Sequence, residues 1–467
     1  MRGPSSWIRR CVGRAAAGSI LLVCATAVAQ VDTATHTVRT TTGDDLELSG
    51  VEVVAVKSET GLRRTATTDA RGTARLLGLP PGSYRVEARI EGFAPVRAFR
   101  ERVRHGGDDS EKVTRYEEMG VDLLRGEGRI DGPGRVRVDG RPVRAGRIVV
   151  ATGSVTPAPP IEGIAECGFW THREIAALEE VPASAAVIGG GPVGLEVAQQ
   201  LRRLGSQVVL VDSSSRLLED EEPELGDLLS RRLREEGIDL RLGIHADAAR
   251  PAAGGYELDL AGGTVAVERI VLATGRVPAV EGIGLETVGV DVSGGAVTID
   301  ATCRVADGVW AVGDVTGAGL FTHVASYQGR IAAADILGEP VPADHTAIPR
   351  SVFTDPEVAA VGVAGAEARA RGLDTVRGLA RLEDMERATT YGDGAEGVAG
   401  LRARRSDGVV VGAFGAGPLA SEWIHMGVIA VKAGITAATL ADTIAQFPTF
   451  AEGLVTAARR IEAERAG

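Results

Sequence analysis

The stretch Ala185-Ala186-Val187-Ile188-Gly189-Gly190-Gly191-Pro192-Val193-Gly194 decides the fold. Four apolar residues form a short buried strand that runs directly into a glycine-rich turn, and Leu195 to Leu204 continue as an amphipathic helix. Glycines at 189, 191 and 194 permit a tight turn, close approach of backbone to a pyrophosphate, and close packing of helix on strand. A phosphate there sits on unpaired N–H groups and on the positive end of the helix dipole. The next apolar strand, Gln207-Val208-Val209-Leu210-Val211-Asp212, ends in an acid 23 positions after the first glycine. A carboxylate at that place accepts hydrogen bonds from a ribose diol and repels a 2′-phosphate, which favours NAD(H) over NADP(H). Arg216, four residues further on, leaves a phosphate contact open.

Outward from this unit, one design occurs twice, as Ile148-Val149-Val150-Ala151-Thr152-Gly153-Ser154 and as Ile270-Val271-Leu272-Ala273-Thr274-Gly275-Arg276-Val277-Pro278. Each is a strand ending in Ala-Thr-Gly, where a small residue and a glycine let the chain turn beneath a dinucleotide. Further on, Val309-Trp310-Ala311-Val312-Gly313-Asp314-Val315 places an acid at the end of another apolar strand, followed by Leu320-Phe321-Thr322-His323.

With these elements in this order, from about Gly106 to the C-terminus, the chain resembles the pyridine nucleotide–disulfide oxidoreductase family of flavoproteins. The resemblance implies that Gly128, Thr152, Gly153, Ser154, Asp314, Leu320, Phe321, Thr322 and His323 line FAD, with Asp314 bonding the ribityl chain. It implies that Gly189, Gly191, Gly194, Glu196, Asp212 and Gly275 hold the nicotinamide dinucleotide, Glu196 near the nicotinamide. The segments Phe353-Thr354-Asp355-Pro356-Glu357-Val358-Ala359 and Lys432-Ala433-Gly434-Ile435-Thr436 look like the family's C-terminal dimerisation domain, so a homodimer is expected.

Three departures from the family pattern bear on the chemistry. The family's own opening glycine-rich unit, which binds the ADP half of FAD, has no counterpart before Gly189. The redox pair Cys-x-x-x-x-Cys that follows it is also missing, and Cys167 and Cys303 stand outside any matching position. The C-terminal motif reads Phe447-Pro448-Thr449-Phe450-Ala451-Glu452 where family disulfide reductases place a His before Pro-Thr. Glu452 is kept as the candidate catalytic acid, but a phenyl ring at 447 moves no protons, so thiol–disulfide chemistry lacks both of its halves. Family members of that kind pass hydride from NAD(P)H to flavin and on to a quinone-like acceptor. What is left of the flavin domain is expected to be a sheet without its central strands, with an unpaired edge.

The N-terminus reads differently. Arg2, Arg9, Arg10 and Arg14 precede an apolar run from Ala15 to Ala29 that ends in Ala27-Val28-Ala29, the pattern of a cleaved secretory signal. From there to about residue 100 short β-rich runs alternate with turn residues, Val51 to Val56, Arg64 to Thr68, Ala74 to Leu77 and Tyr84 to Ile90, the pattern of a small antiparallel sandwich. The stretch Leu77-Gly78-Leu79-Pro80-Pro81-Gly82-Ser83-Tyr84-Arg85-Val86, ending at Glu91-Gly92-Phe93, resembles the carboxypeptidase regulatory-like module, a non-catalytic sandwich of exported proteins.

The whole is expected to be α/β, a Rossmann-type NAD domain inserted in a partial FAD domain, with an α+β dimerisation domain and a small all-β sandwich in front. The boundaries are 1–29 signal peptide, 30–104 β-sandwich, 105–165 with 284–345 partial FAD-binding domain, 166–283 NAD(P)-binding domain and 346–467 dimerisation domain. In this reading a truncated reductase is joined to the β module near residues 97 to 107. Its cofactors are FAD and NAD(P)H, with NADH favoured, and its partners are a second copy through 346–467 and a small-molecule electron acceptor. A remnant that only binds NAD, or an exported interaction protein acting through the β module, are the alternatives. The signal directs export, whereas the reductase part belongs where nicotinamide cofactors are, in the cytoplasm.

Composition excludes other classes. The 467 residues carry 51 Lys+Arg against 63 Asp+Glu, a net charge of −12 that offers no basic footprint for nucleic acid. No apolar run reaches the roughly 20 residues of a membrane span. The four cysteines show no metal-site or redox-pair spacing, so no metal is expected. The acidic run Glu219-Asp220-Glu221-Glu222 before Pro223 is expected to be a solvated loop and helix N-terminus.

Overall fold

The computed structural model describes residues 9–14, 19–26, 34–41, 51–57, 60–68, 73–79, 84–90, 97, 100, 101, 103, 107–391 and 395–467, those before residue 51 through their backbone. The chain divides into two units, residues 1–123 with 179–181, and residues 124–178 with 182–467.

In the first unit β1 (Arg9–Arg14), β2 (Ser19–Thr26), β3 (Ala34–Thr41), β4 (Val51–Lys57), β5 (Arg63–Thr67), β6 (Thr73–Leu79) and β7 (Tyr84–Ile90) form two antiparallel sheets. Their orders are β1-β2-β3-β6 and β5-β4-β7. Val53, Val54, Ala55, Ala74 and Leu76 are buried, as runs of alternating and β-branched residues require for a half-covered sheet. The four strands expected between residues 51 and 90 are present. Within the segment with signal-peptide character β1 pairs with β2, while the Ala27-Val28-Ala29 site and the Pro80-Pro81-Gly82-Ser83 turn lie outside the described residues. Helix α1 (Ser110–Glu118) buries none of its side chains.

The second unit holds the motifs. A small antiparallel sheet of β8 (Gly128–Ile130), β9 (Arg135–Val138) and β10 (Arg141–Arg144) precedes β11 (Ile148–Val150) and the short β12 (Ser154–Val155). The nucleotide unit follows as β13 (Ser184–Ile188), α2 (Pro192–Arg203), β14 (Gln207–Asp212), α3 (Pro223–Glu235) and β15 (Asp239–Leu242). A three-stranded meander, β16 (Ala246–Ala252), β17 (Gly255–Leu260) and β18 (Gly263–Val267), leads to β19 (Arg269–Leu272) and β20 (Val277–Pro278). The parallel sheet runs β15-β14-β13-β19, with Ile188 opposite Val211 on one side and Leu272 on the other. Its central strands are continuous apolar runs because helices and the meander cover both faces. Leu195, Ala198 and Leu201 form the buried stripe of α2, and Leu225, Leu229 and Leu233 that of α3, each at helical spacing.

β21 (Arg304–Ala306) and β22 (Val309–Ala311) return the chain to β11, making a sheet of order β11-β22-β21. Only three strands stand here, and among the described residues the outer edge of β11 carries no partner, in keeping with a flavin-domain sheet lacking its central strands. After α4 (Thr322–Ile336) a five-stranded antiparallel sheet forms from β23 (Pro349–Val352), β24 (Glu357–Gly362), β25 (Thr375–Arg381), β26 (Val398–Arg404) and β27 (Val410–Gly417), in the order β23-β24-β27-β26-β25. The C-terminal helix α5 (Glu452–Ala466) packs through Leu454, Ala457, Ala458 and Ile461 on this sheet's core. Among the described residues no helix is long and apolar enough to cross a membrane.

Candidate functional site

Strand β13 delivers the chain into a turn that side chains cannot follow. Gly189 has φ +114°, and a Cβ there would lie 2.6 Å from the carbonyl carbon of Ala273. At Gly194 a Cβ would drive into the carbonyl oxygen of Gly189, so this glycine lets α2 seat on the strand. Gly191 differs from both. Nothing lies within 4 Å of its would-be Cβ, so space toward a ligand, not packing, is what this position offers. The N-terminus of α2 begins at Pro192, whose missing N–H is no loss in the first turn.

The acid at the end of β14 is held in place from two sides. One carboxylate oxygen of Asp212 accepts from the Ser214 N–H at 2.6 Å, and the other accepts from the Gly190 N–H. A Cβ at Gly190 would come within 2.7 Å of that second oxygen. Gly190 therefore positions Asp212, a role the spacing argument passed over, and its signal was a middle glycine that the Gly189–Gly191–Gly194 spacing does not need. Gly189, Gly190, Gly191, Asp212, Thr274 and Gly275 border one cavity of roughly 1620 Å³, which Leu320 and Phe321 also reach. Gly275, at φ +120°, turns the chain away at the end of β19.

Arg216, in the loop after β14, also borders this cavity, but its guanidinium is engaged by its own loop's backbone. Its guanidinium donates to the carbonyls of Glu219 at 2.6 Å and Glu221 at 3.3 Å, with a longer contact to Leu218. Glu196, on α2, does not border the cavity. Its carboxylate accepts from the Phe353 N–H at 2.8 Å, and burial pushes its carboxyl above the ordinary range.

The second cluster forms where β11, β12 and the turn after β22 converge. The Ser154 hydroxyl donates to Asp314 at 2.7 Å, and the Arg276 guanidinium pairs with the same carboxylate oxygen. Thr152 donates to the Ala279 carbonyl at 2.7 Å, and the Gly153 carbonyl accepts from the Ala279 N–H. The Gly313–Thr316 turn that carries Asp314 is fixed by fully buried Gln328, whose amide oxygen accepts from the Gly313 N–H at 2.6 Å. Phe321 stacks on His323 with ring centroids 5.1 Å apart, and the His323 Nε2 meets the Pro349 carbonyl at 3.0 Å. Thr322 opens α4. Gly128 stands apart from these residues, on β8 opposite Val138.

Of the residues expected to line FAD, Ser154 and Asp314 are brought into hydrogen-bond contact, and Arg276 occupies the same carboxylate oxygen. Among the described residues the one glycine-rich strand-turn-helix is that of β13 and α2, and β19 and β14 flank it in the parallel sheet.

At the C-terminus Phe447 projects its ring, 64% exposed, and Glu452 accepts from the Thr449 N–H at 3.0 Å. In this geometry Glu452 caps the turn that opens α5. Cys167 and Cys303 are buried and free, and burial pushes both thiols up, that of Cys303 to about 11. Such thiols are poor nucleophiles. Among the described residues no cluster of metal-ligating side chains occurs.

One expectation holds only in part. The acidic run before α3 is exposed at Glu219 and Asp220 and does open the helix, but Glu222 is 3% exposed, and its carboxylate accepts from Arg402 at 2.6 Å and from the Gly365 N–H at 2.8 Å. Glu221 is gripped by both ends of the Arg350 guanidinium, at 2.6 and 3.0 Å. The partners lie more than 120 residues away, where no local pattern reveals them.

Residues 20–329 match the family model described as pyridine nucleotide-disulphide oxidoreductase, and residues 348–458 match that family's dimerisation domain. The first match begins well ahead of the Gly106 region where the motif resemblance starts. Mercuric reductase of Acidithiobacillus ferrooxidans is 34% identical over 346 residues, which cover 73% of this chain and 63% of that protein. Dihydrolipoyl dehydrogenase of Thermus scotoductus is 35% identical over 351 residues, 73% of this chain and 75% of that protein. The crystal structure of LpdA from Mycobacterium tuberculosis superposes with a TM-score of 0.69 at 30% identity, covering 77% of this chain and 82% of that one. The chain therefore spans less than two thirds of the length of the mercuric reductase it matches.

Proposed function

The chain belongs to the pyridine nucleotide-disulphide oxidoreductase family, whose members are FAD-dependent and use NAD(P)H, and from that premise we propose that it oxidises NADH and delivers the electrons to a non-disulfide acceptor such as a quinone. The observation that carries this reading is the complete dinucleotide cradle: Gly189, Gly191 and Gly194 open the turn, and Asp212 is fixed by Gly190 and Ser214 to meet a ribose diol. NADH is favoured over NADPH because the carboxylate repels a 2′-phosphate while Arg216 donates to its own loop.

FAD, when bound, supplies the two-electron relay between NADH and the acceptor. Thr152, Ser154 and Asp314 are the residues that would hold its flavin end. A disulfide acceptor is disfavoured by Phe447 in place of an imidazole and by two thiols that are buried and free among the described residues. The test is NADH oxidation by the purified full chain with added FAD and a quinone or dye. Turnover that needs FAD supports the reading. NADH binding without turnover supports a second one, a remnant that retains only coenzyme binding, which the open edge of β11 and the Arg276–Asp314 pair favour.

Assembly and address are part of the same proposal. The dimerisation-domain match and the exposed apolar side chains of Ile429, Ile444 and Phe447 support a homodimer through residues 346–467. Light scattering should give twice the chain's 48.4 kDa. Arg9, Arg10 and the Ala15 to Ala29 run support export. N-terminal sequencing that finds a mature start at Gln30 in the envelope agrees with it, and an unprocessed cytoplasmic chain refutes it.

A further inference from the structure

The loop from Ser213 to Glu222 borders the cavity beside Asp212, and its two halves are held by different parts of the molecule. Its first half is tied within the nucleotide unit: the Ser214 carbonyl accepts from the Gly243 N–H at 2.8 Å, and the Asp212 carbonyl from the Ile244 N–H at 3.0 Å. Its second half is tied to the sheet of residues 349–417. Arg350, on β23, grips Glu221 with two hydrogen bonds and reaches the Gly362 carbonyl on β24. Arg402, on β26, holds Glu222 and also donates to Thr375, while Arg377 reaches Glu222 and Glu224. Charged groups buried this far persist only when paired, so the loop keeps one conformation while these partners stay in place.

That conformation decides what Arg216 does. Its guanidinium donates to the carbonyls of Glu219 and Glu221, residues whose placement the Glu221–Arg350 pair secures. An arginine four positions past the acid is otherwise placed to meet a 2′-phosphate, the one group that separates NADPH from NADH.

We propose that Glu221 and Arg350 act as a positioning clasp for coenzyme selectivity, keeping Arg216 on its own loop and away from a 2′-phosphate. The inference rests on the coenzyme reading above. It adds a residue of the dimerisation domain to the determinants of which nicotinamide dinucleotide binds.

The experiment is calorimetric titration of the full chain with NADH and with NADPH, for wild type, Arg350→Met, Arg350→Lys, Glu221→Gln and the double variant Arg350→Met/Arg216→Met. Wild type should prefer NADH by about tenfold or more. Arg350→Met and Glu221→Gln should each narrow that preference about fivefold, chiefly by tightening NADPH, with Arg350→Lys between them and wild type. The double variant should lose the gain for NADPH, which a merely structural role for Arg350 would not produce. If Arg350→Met fails to fold, the milder Glu221→Gln carries the comparison. A wild-type ratio in Glu221→Gln and Arg350→Met overturns the clasp alone. Wild type that binds neither dinucleotide overturns the coenzyme reading and the clasp together.

Discussion

Two strands of this chain share the design Ile-Val-x-Ala-Thr-Gly and meet opposite fates. In β19, Ile270, Val271 and Leu272 are all buried: β13 pairs along one edge, the Trp170 backbone bonds Ile270 and Leu272 along the other, and the meander and helices cover the faces. In β11, Ile148 and Val150 are buried but Val149 is 46% exposed, and among the described residues the strand pairs with β22 only. A parallel strand normally sits inside a sheet with both faces covered. Both strands end their sheets, so the same words build a fully buried strand in one place and a half-exposed one in the other. Strand sequence sets the turn at Ala-Thr-Gly, and the neighbouring strands decide whether a cofactor cradle is complete.

The comparison can be broken first at its strongest point. Gly194→Val pushes a side chain into the Gly189 carbonyl and should weaken NADH binding by about 100-fold, the upper end of what overpacking costs. Near-normal NADH affinity in a calorimetric titration of that variant would mean the cradle does not work as described. The paired valines come next. Val271→Ala should destabilise the protein by about 2 kcal/mol, as loss of two buried methyl groups does, while Val149→Ala should stay within about 0.5 kcal/mol. Equal losses in urea unfolding would show that β11 is covered as well as β19.

A smaller effect is expected at Glu196. Burial raises its carboxyl, so the charged form is disfavoured in the folded state. The stability it allows is complete below the ordinary glutamate range and is lost as pH rises through the raised value. Glu196→Gln keeps an acceptor for the Phe353 N–H and removes that loss, so the variant's melting temperature should overtake wild type's at pH 8 and not at pH 4. A pH-independent difference would assign the effect to packing.

The smallest expected effect is none. Cys167 packs in the core beneath the NAD sheet and Cys303 in the core behind Trp310 and Ile331 on the flavin side. Both thiols are pushed up by burial, so neither should react with iodoacetamide at pH 8 in the folded protein, as peptide mapping would show. Faster labelling at Cys303 than at Cys167 would sharpen the contrast by showing that the flavin side opens more readily.

Much of this was legible in the sequence, where the physics is local. The apolar run into Gly189, the acid ending β14 and the alternation in residues 51 to 90 each follow from neighbours along the chain, and each element stands where it is expected. The bond between Ser154 and Asp314 was reachable only through family resemblance, since 160 positions separate the two residues. Gly190 escaped because its role is a backbone N–H aimed at Asp212, which no side-chain pattern displays. The burial of Glu221 and Glu222 escaped for the opposite reason. A run of four acids reads as solvent-facing, and the arginines that neutralise two of them arrive from strands folded much later in the chain. Glu452 kept its place in the motif, but its carboxylate caps a turn beside a phenyl ring and has no imidazole to work with.

The most direct test of the proposed activity is the absorbance spectrum of the purified full chain between about 350 and 500 nm, with FAD added and then NADH. An oxidoreductase built this way takes up the added flavin and its band bleaches when NADH follows. A chain that binds NADH yet leaves all the FAD free and unbleached would contradict the proposed activity and leave only the coenzyme-binding remnant.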